Sequence, residues 1–418
     1  MKVCRSDRIR RCLDAALASL LALLLGLPAL CVAQSPGASD AKALTPASTA
    51  PGPAPPASPP SKGSREPAPP ASPPAAGTAE PAPPLPPKDA PESALPPSPA
   101  AEPVPLALVL PLGSPVYGRA AEAVNAGFAA AADAARLRYG VIAHADGGVA
   151  AAFARAGEGG ARVVVGPLVR DDLKAIVSAG GELPWTIALN QLDEGVVLPP
   201  RVYTLALAVD SEGVQVARRA QADGARTVAI IGSDNPLQRR FAGAFAGEWI
   251  LLGGSAPVTF RLQRAPDMLA LLRRELAKAA PDVVLLAVSA QDATLVKPYL
   301  GPVIAYTSSQ VNDRPPAESL RDLDDVRFVE IPWLADPSGA GYAALPRPDY
   351  GSATLDRLYA LGVDAFRVAQ AFADGVPARL EFDGATGHLT LDRSSRQFFR
   401  EGTLLQFRDG EVVPVAGR

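Results

Sequence analysis

Residues 227–251 read TVAIIGSDNPLQRRFAGAFAGEWIL, a short apolar run that leads through a polar loop into a longer segment. The run predicts a strand over 227–234, and the longer segment predicts a helix over 237–251. A near-continuous apolar strand followed directly by a helix is typical of a parallel sheet that is covered on both faces. This unit therefore indicates an α/β protein.

The same strand-then-helix unit recurs on both sides of this segment. The series starts at residue 105 and restarts after Leu205-Ala206-Leu207, which suggests two doubly wound parallel sheets in two lobes. The predicted strands are PLALVLPL (105–112), VIAHAD (141–146), RVVVGPL (162–168), WTIALN (185–190), TVAIIGSD (227–234), VTFRL (258–262), VVLLAVS (283–289) and VIAYTSS (303–309).

Polar and small residues follow the carboxyl ends of several of these strands. In doubly wound sheets this edge is where ligands bind, because its loops lead into helix N-termini. We therefore expect the residues that line an interlobe cleft to come from these loops. The cleft candidates are Ser114, Tyr117, Gly166, Pro167, Asn190, Ser233, Asn235, Ser308 and Ser309.

The composition excludes two broad classes of protein. Of the 418 residues 48% are hydrophobic, and 40 Lys and Arg stand against 43 Asp and Glu. This balance excludes nucleic-acid binding through bulk positive charge. The one long apolar run lies near the N-terminus, which excludes a polytopic membrane protein.

Residues 1–33 have the pattern of an export signal. A basic head precedes an apolar run at 15–30, which is short for a membrane span and suits a signal peptide. Cleavage after Ala33 would remove all three cysteines. The alternatives are lipidation at Cys31, although Leu30 stands where a lipobox has Gly or Ala, and an uncleaved anchor.

Residues 34–103 are predicted to be a disordered linker. The stretch 34–105 contains 24 of the 45 prolines and repeats the unit PAPPASPP, and no aromatic residue precedes Tyr117. Such a segment cannot bury enough apolar surface to offset its chain entropy. The folded part is therefore 104–418, with the linker as a spacer or a solubilising segment.

Motifs for catalysis are absent from the sequence. The two histidines, His144 and His388, lie outside HExxH, and neither a GxSxG nor a GxxxxGK[ST] motif occurs. The acidic stretches 171–172 and 322–325 are interpreted as solvated faces. We predict no catalytic residues, no metal site and no cofactor.

Several segments, in order, resemble the penicillin-binding protein activator family, the lipoproteins called LpoA or LppC. They are the GSPVYG turn (113–118) with GFAAAADAA, VVVGPLVRDDL (163–173), TIALNQ (186–191), 209–235, 239–254, AYTSSQVND (305–313), 322–334, LDRLYALGVDAFRVAQ (355–370) and GATGHLTLDR (384–393).

The resemblance implies a two-lobed periplasmic-binding-protein type I fold whose lobes are joined by three crossings. Together with the strand series, it predicts one lobe from 104–207 plus 310–380 and the other from 208–309 plus 381–418. It also implies stimulation of a class A penicillin-binding protein in the periplasm, at the outer membrane, without chemistry of its own. A proline-rich linker stands here where other members carry a helical-repeat domain.

Two further hypotheses come from other classes of protein. A periplasmic solute receptor for an amino acid or similar small polar ligand would use the same fold, with Ser114, Asn190, Ser233 and Ser308 as ligands. A cell-wall enzyme lacks a catalytic set in this sequence. Two interpretations of Trp333 are open: its side chain lines the cleft, or it is buried and plugs the cleft.

Overall fold

A computed structural model describes residues 105–193 and 195–415, apart from the side chain of Ala317. The predicted signal peptide, Cys31 and the linker lie outside the described residues. Within them the chain forms an eight-stranded and a seven-stranded sheet, which we call the sheets of lobe one and lobe two. None of the described helices has the length and apolar character needed to cross a membrane.

The strands of the described residues follow the alternation predicted above. In chain order they are β1 (Leu106–Leu110), β2 (Gly140–Ala143), β3 (Val163–Val165), β4 (Trp185–Ala188), β5 (Val202–Thr204), β6 (Val228–Gly232), β7 (Val258–Arg261), β8 (Val283–Ala287), β9 (Ile304–Thr307), β10 (Val326–Glu330), β11 (Glu381–Asp383), β12 (His388–Asp392), β13 (Gln397–Glu401), β14 (Thr403–Arg408) and β15 (Glu411–Pro414).

The helices that cover these strands begin soon after the strand ends. They are α1 (Gly118–Ala135), α2 (Val149–Glu158), α3 (Arg170–Ala179), α4 (Val209–Ala222), α5 (Pro236–Leu251), α6 (Pro266–Ala279), α7 (Ala290–Val296), α8 (Ala317–Asp322), α9 (Pro332–Ala335) and α10 (Ala353–Phe372).

Each sheet has a parallel part and an antiparallel edge. The order in lobe one is β11-β12-β13-β5-β4-β3-β1-β2, and in lobe two it is β15-β14-β10-β9-β8-β6-β7. Strands β1–β5 and β6–β10 pair in parallel, whereas β11–β12, β12–β13, β10–β14 and β14–β15 pair antiparallel. The predicted two-lobed α/β fold is confirmed, and the antiparallel edges complete it.

The predicted division between the lobes was wrong for residues 310–330 and 381–401. The chain stays in lobe two through β10, because β10 pairs in parallel with β9 at Val326 and Ala305. It then builds α10 and β11–β13 in lobe one and returns to lobe two at β14. Lobe one therefore takes 381–401, which had been assigned to lobe two, and the three predicted crossings follow β5, β10 and β13.

The core of lobe one is centred on the contact between α1 and α10. Phe128 and Phe366 meet edge to face at 5.3 Å between ring centroids. A Cβ on Gly127 would lie 1.9 Å from the carbonyl oxygen of Tyr359, so the two helix backbones approach at this glycine. The apolar residues of 358–372 have the spacing of a buried helix in the sequence, and most of α10 is buried in the structure.

Trp333 belongs to the same core. It is buried, with Tyr359 at 5.1 Å between ring centroids and the Arg347 guanidinium 3.9 Å from its ring centre. Of the two interpretations of Trp333, the structure supports burial.

Candidate functional site

The three crossings between the lobes meet at one cavity of about 190 Å³. Each crossing contributes a lining residue: Leu207 after β5, Ile331 after β10 and Arg400 near the end of β13. We call this region the hinge cavity. Its complete lining is Leu207, Glu212, Ser309, Gln310, Val329, Glu330, Ile331, Thr354, Arg357, Leu358 and Arg400.

A buried ion pair joins the two lobes beside this cavity. Arg357 of α10 donates to Glu330 of β10 through Nε at 2.9 Å and through Nη2 at 2.6 Å. Burial alone would lower the pKa of Arg357, but the bonds to Glu330 outweigh it and the pKa is raised. Arg357 Nη2 also donates to the Ser309 carbonyl at 2.9 Å, and Asn312 Nδ2 donates to Glu330 at 3.0 Å.

Glu212 of α4 is a second buried carboxylate in the cavity wall. It accepts hydrogen bonds from the backbone N–H and the hydroxyl of Ser309, both at 2.8 Å. Burial raises the pKa of Glu212, although the positive charge of Arg400 and the bonds from Ser309 oppose the shift. Glu212 thus fixes the loop after β9 against α4.

The third crossing is held by Gln215 of α4. Its Nε2 donates to the Arg400 carbonyl at 2.9 Å, and its Oε1 accepts from the backbone N–H of Gly402 at 2.7 Å. Helix α4 of lobe two therefore binds the end of β13, where the chain returns from lobe one. Because Gln215 bonds to backbone groups, it fixes the path of the chain at this crossing.

Further polar contacts between the lobes surround the hinge. Arg314, in the loop after β9, pairs with Asp349 and with Asp356 of α10, each at 2.7 Å. Gln191, after β4, donates to Asp210 of α4 at 3.2 Å. These contacts connect segments of one lobe to segments of the other, so they help to hold the two lobes together.

The lobe-one cleft candidates lie at strand ends, as predicted, and most make internal hydrogen bonds. Ser114 Oγ accepts from the backbone N–H groups of Val116 and Tyr117 at 3.2 and 3.1 Å. Asn190 Nδ2 donates to the Leu168 carbonyl at 3.0 Å. Gly166 and Pro167 are joined by a cis peptide bond, and the Gly166 N–H donates to Ile187. Tyr117 is exposed.

The lobe-two candidates are also engaged internally. Asn235 caps α5 by accepting from Leu237 N–H at 2.9 Å, and Ser233 donates to the Ala287 carbonyl at 3.3 Å. Ser308 is fully buried against Gln238, and Ser309 is the candidate that reaches the hinge cavity. Ligand binding by these nine residues stays a prediction.

The charged residues of the hinge cavity were missed in the sequence. Glu212, Glu330, Arg357 and Arg400 come from four distant segments, and an isolated charge in a helix or strand is ordinarily solvated. The sequence gives only a weak indication that these charged residues are buried. Glu330 ends the largely buried strand VRFVE, and Arg357 lies in the first half of the largely buried helix α10, so both were placed where burial is expected.

The histidines and Asp364 have local roles in the structure. His144 is buried, with Nδ1 3.0 Å from the Ala145 carbonyl, and His388 lies on β12 between Asp383 and Glu381. Asp364 accepts from the N–H and hydroxyl of Thr386, each at 2.7 Å. Both residues belong to lobe one, so Asp364 holds α10 to the turn before β12 within that lobe.

The sequence matches a known family over most of its length. The family model described as "LppC putative lipoprotein" matches residues 100–270 and 260–410. The penicillin-binding protein activator LpoA of Haemophilus influenzae is 26% identical over 276 residues, which are 63% of this chain and 47% of that protein. For LpoA of Edwardsiella piscicida the values are 27% over 310 residues, 63% and 44%. The chain thus spans less than half of these two relatives.

Two solved structures match this chain over almost their whole length. The LpoA C-domain from Haemophilus influenzae, described as a regulator of PBP1A, is 25% identical at a TM-score of 0.65, covering 74% of this chain and 99% of that domain. A protein from Chromobacterium violaceum described as "a putative branched-chain amino acid ABC transporter" is 30% identical at 0.63, covering 72% and 98%. The family resemblance noted in the sequence is confirmed: the chain belongs to the LppC family.

Proposed function

We propose that this chain is a non-catalytic regulator of the bacterial envelope that binds a class A penicillin-binding protein and stimulates peptidoglycan synthesis. The observation that carries the proposal is the match to the LpoA C-domain, which is covered over 99% of its length and is described as a regulator of PBP1A. Membership of the LppC family supports it.

The chemistry of the described residues supports regulation through contact. The two carboxylates at the hinge are engaged by neighbouring groups: Glu330 by Arg357 and Asn312, and Glu212 by Ser309. A general acid or base has to reach the proton that it transfers, and a nucleophile needs an adjacent base. These contacts instead suit a hinge that holds two lobes in a defined arrangement.

Stimulation by contact needs only a difference in affinity. A regulator that binds the active conformation of a synthase more tightly than its resting conformation shifts the population towards the active one. A tenfold shift requires about 1.4 kcal/mol of differential binding free energy. Such an interface would use the surface of the two lobes. The hinge contacts would keep the lobes in one arrangement relative to each other.

The N-terminal segments fit this role as a tether. The predicted export signal would bring the chain to the periplasm. A lipid on Cys31 would anchor it to the outer membrane on the periplasmic face, whereas cleavage after Ala33 would release it. If the predicted linker of about 70 residues were fully extended at roughly 3.1 Å per residue, an anchored domain would reach about 220 Å at most. Anchoring would raise the effective concentration at the synthase.

The solute-receptor hypothesis is weaker than the activator proposal. The curated relatives described above are named as activators. In addition, the hydroxyl of Ser114 is bound within its own loop, and the amide of Asn190 is bound to the carbonyl of Leu168 in the loop after β3. The receptor hypothesis is therefore kept as an outcome of the test.

The test is a binding titration of the purified protein against a class A penicillin-binding protein from the same bacterium. We expect saturable binding to this synthase and none to a monofunctional class B penicillin-binding protein, which serves as the matched control. Binding to neither protein, together with tight binding of a free amino acid, would favour the receptor.

A further inference from the structure

The hinge cavity combines a small volume with a wall of mixed character. Its volume of about 190 Å³ equals that of roughly six liquid water molecules at about 30 Å³ each. Leu207, Val329, Ile331 and Leu358 give one part of the wall an apolar character. The rest is polar and includes four charged residues, so the cavity is suited to a molecule with one ionised end and a short aliphatic tail.

Arg400 is a buried arginine of the cavity wall whose guanidinium is bound to no carboxylate of the described residues. Its side chain is 5% exposed, and Nη1 donates to the Thr386 carbonyl at 3.3 Å. Among the described residues its guanidinium forms no ion pair, and the buried Nε has no acceptor. Burial lowers the pKa of Arg400, in spite of the negative charges of Glu212 and Glu330. A buried cation of this kind is costly unless an anion pairs with it.

Arg357 adds a second donor beside the cavity. Although its Nε and Nη2 are bound to Glu330, its Nη1 is buried and has no acceptor. Two guanidinium groups with unused N–H donors therefore line one small space. Guanidinium groups bind carboxylates through strong charge-assisted hydrogen bonds.

The two glutamates of the wall limit the negative charge that a ligand in the cavity can carry. Two arginines and two glutamates line the cavity, and Glu330 is already paired with Arg357. A single negative charge would pair with Arg400. A dianion such as phosphate would bring a second negative charge close to Glu212 and Glu330, which is unfavourable in a buried site.

We infer that the hinge cavity is a binding site for a small aliphatic monocarboxylate, whose carboxylate pairs with the guanidinium groups of Arg400 and Arg357 and whose tail contacts the apolar wall. Because all three crossings contribute to the wall, a bound ligand would contact both lobes at their junction. The site is independent of whether the protein activates a synthase.

The probes are isobutyrate, its uncharged isostere isobutyramide, and inorganic phosphate. They are titrated into the full-length protein, with the melting temperature and the heat of binding as readouts. We expect isobutyrate to bind and to raise the melting temperature, and isobutyramide and phosphate to have at least tenfold weaker effects. An equal response to isobutyramide or to phosphate, or no response to isobutyrate, would overturn the assignment.

Two variants locate the site. Arg400→Gln is expected to weaken isobutyrate binding at least tenfold, whereas Arg261→Gln, which removes an exposed arginine of lobe two, keeps it unchanged. Thr354→Tyr places a bulky side chain at an exposed position of the cavity wall and retains Arg400, so it tests the location even if the Arg400 variant does not fold. Binding that survives in both folded variants would overturn the site.

Discussion

Arg357 and Glu330 form a buried two-bond ion pair that connects α10 of lobe one to β10 of lobe two, with N–O distances of 2.9 and 2.6 Å. The side chains are 7% and 0% exposed. Removing one partner from such a pair leaves an uncompensated charge in the interior, whereas removing both does not. This pair is therefore where the joining of the lobes is most sensitive to substitution.

Replacing Arg357 by Met is expected to lower the free energy of unfolding by about 3–5 kcal/mol, because Glu330 keeps its charge without a counterion. Denaturant unfolding measures this value. Arg379→Met removes an exposed arginine that pairs with Glu381 and serves as the control, with little effect on stability, because solvent screens an exposed pair. The double variant Arg357→Met with Glu330→Leu should recover part of the loss. An Arg357→Met variant as stable as the control would contradict this interpretation of the hinge.

Gly127→Ala is expected to destabilise lobe one by at least about 1–3 kcal/mol, the usual cost of overpacking a core. The added Cβ would lie 1.9 Å from the Tyr359 carbonyl oxygen, so α1 and α10 would have to separate. The matched control is Gly243→Ala in α5, where no atom lies within 4 Å of the new Cβ. There the higher helix propensity of Ala should stabilise the protein by up to about 1 kcal/mol. Opposite signs for the two variants in thermal unfolding would confirm the close contact.

The alternation of strands and helices was predictable from the sequence, whereas the assignment of each strand to a lobe was not. Apolar runs such as 283–287 mark buried parallel strands directly. Strand β13, in contrast, joins lobe one through a pairing of Gln397 with Thr204, nearly two hundred residues earlier, and no local pattern encodes such a partner. Strands β11–β13 were therefore predicted in the wrong lobe, whereas β14 and β15 were predicted in the right one.

The candidate site was only partly predictable for a related reason. The rule that ligands lie at the carboxyl ends of strands identified real loops, but it does not tell whether a hydroxyl in such a loop is used by the loop itself, as that of Ser114 is. Glu212 and Arg400 are 188 positions apart, and their burial in one cavity follows from the three crossings. Only Ser309 belongs to both the predicted set and the hinge cavity.

His388 is expected to titrate above its ordinary pKa of 6.5, because hydrogen bonds to Asp383 and then Glu381 stabilise its protonated form. The sequence has two histidines, so its NMR signal can be assigned from a His388→Gln variant. Asp383→Asn should lower the pKa of His388, and Asp374→Asn, at an exposed site on the same lobe, should not.

The sign of the effect on stability follows from linkage. Since the pKa in the folded state is raised, the contribution of His388 is fully present below about pH 6.5 and is lost as the pH rises through the folded pKa. It is a small contribution, because the group is exposed. A pKa of His388 below 6.5 in the folded protein would contradict the contacts seen on β12.

The most direct test of the proposed function is the rate of peptidoglycan synthesis by a purified class A penicillin-binding protein, measured with and without saturating amounts of this protein. We predict a higher rate of glycan polymerisation or peptide cross-linking in its presence, and no synthesis or cleavage of peptidoglycan by this protein alone. An unchanged rate at saturation, or cleavage of peptidoglycan by this protein alone, would contradict the account.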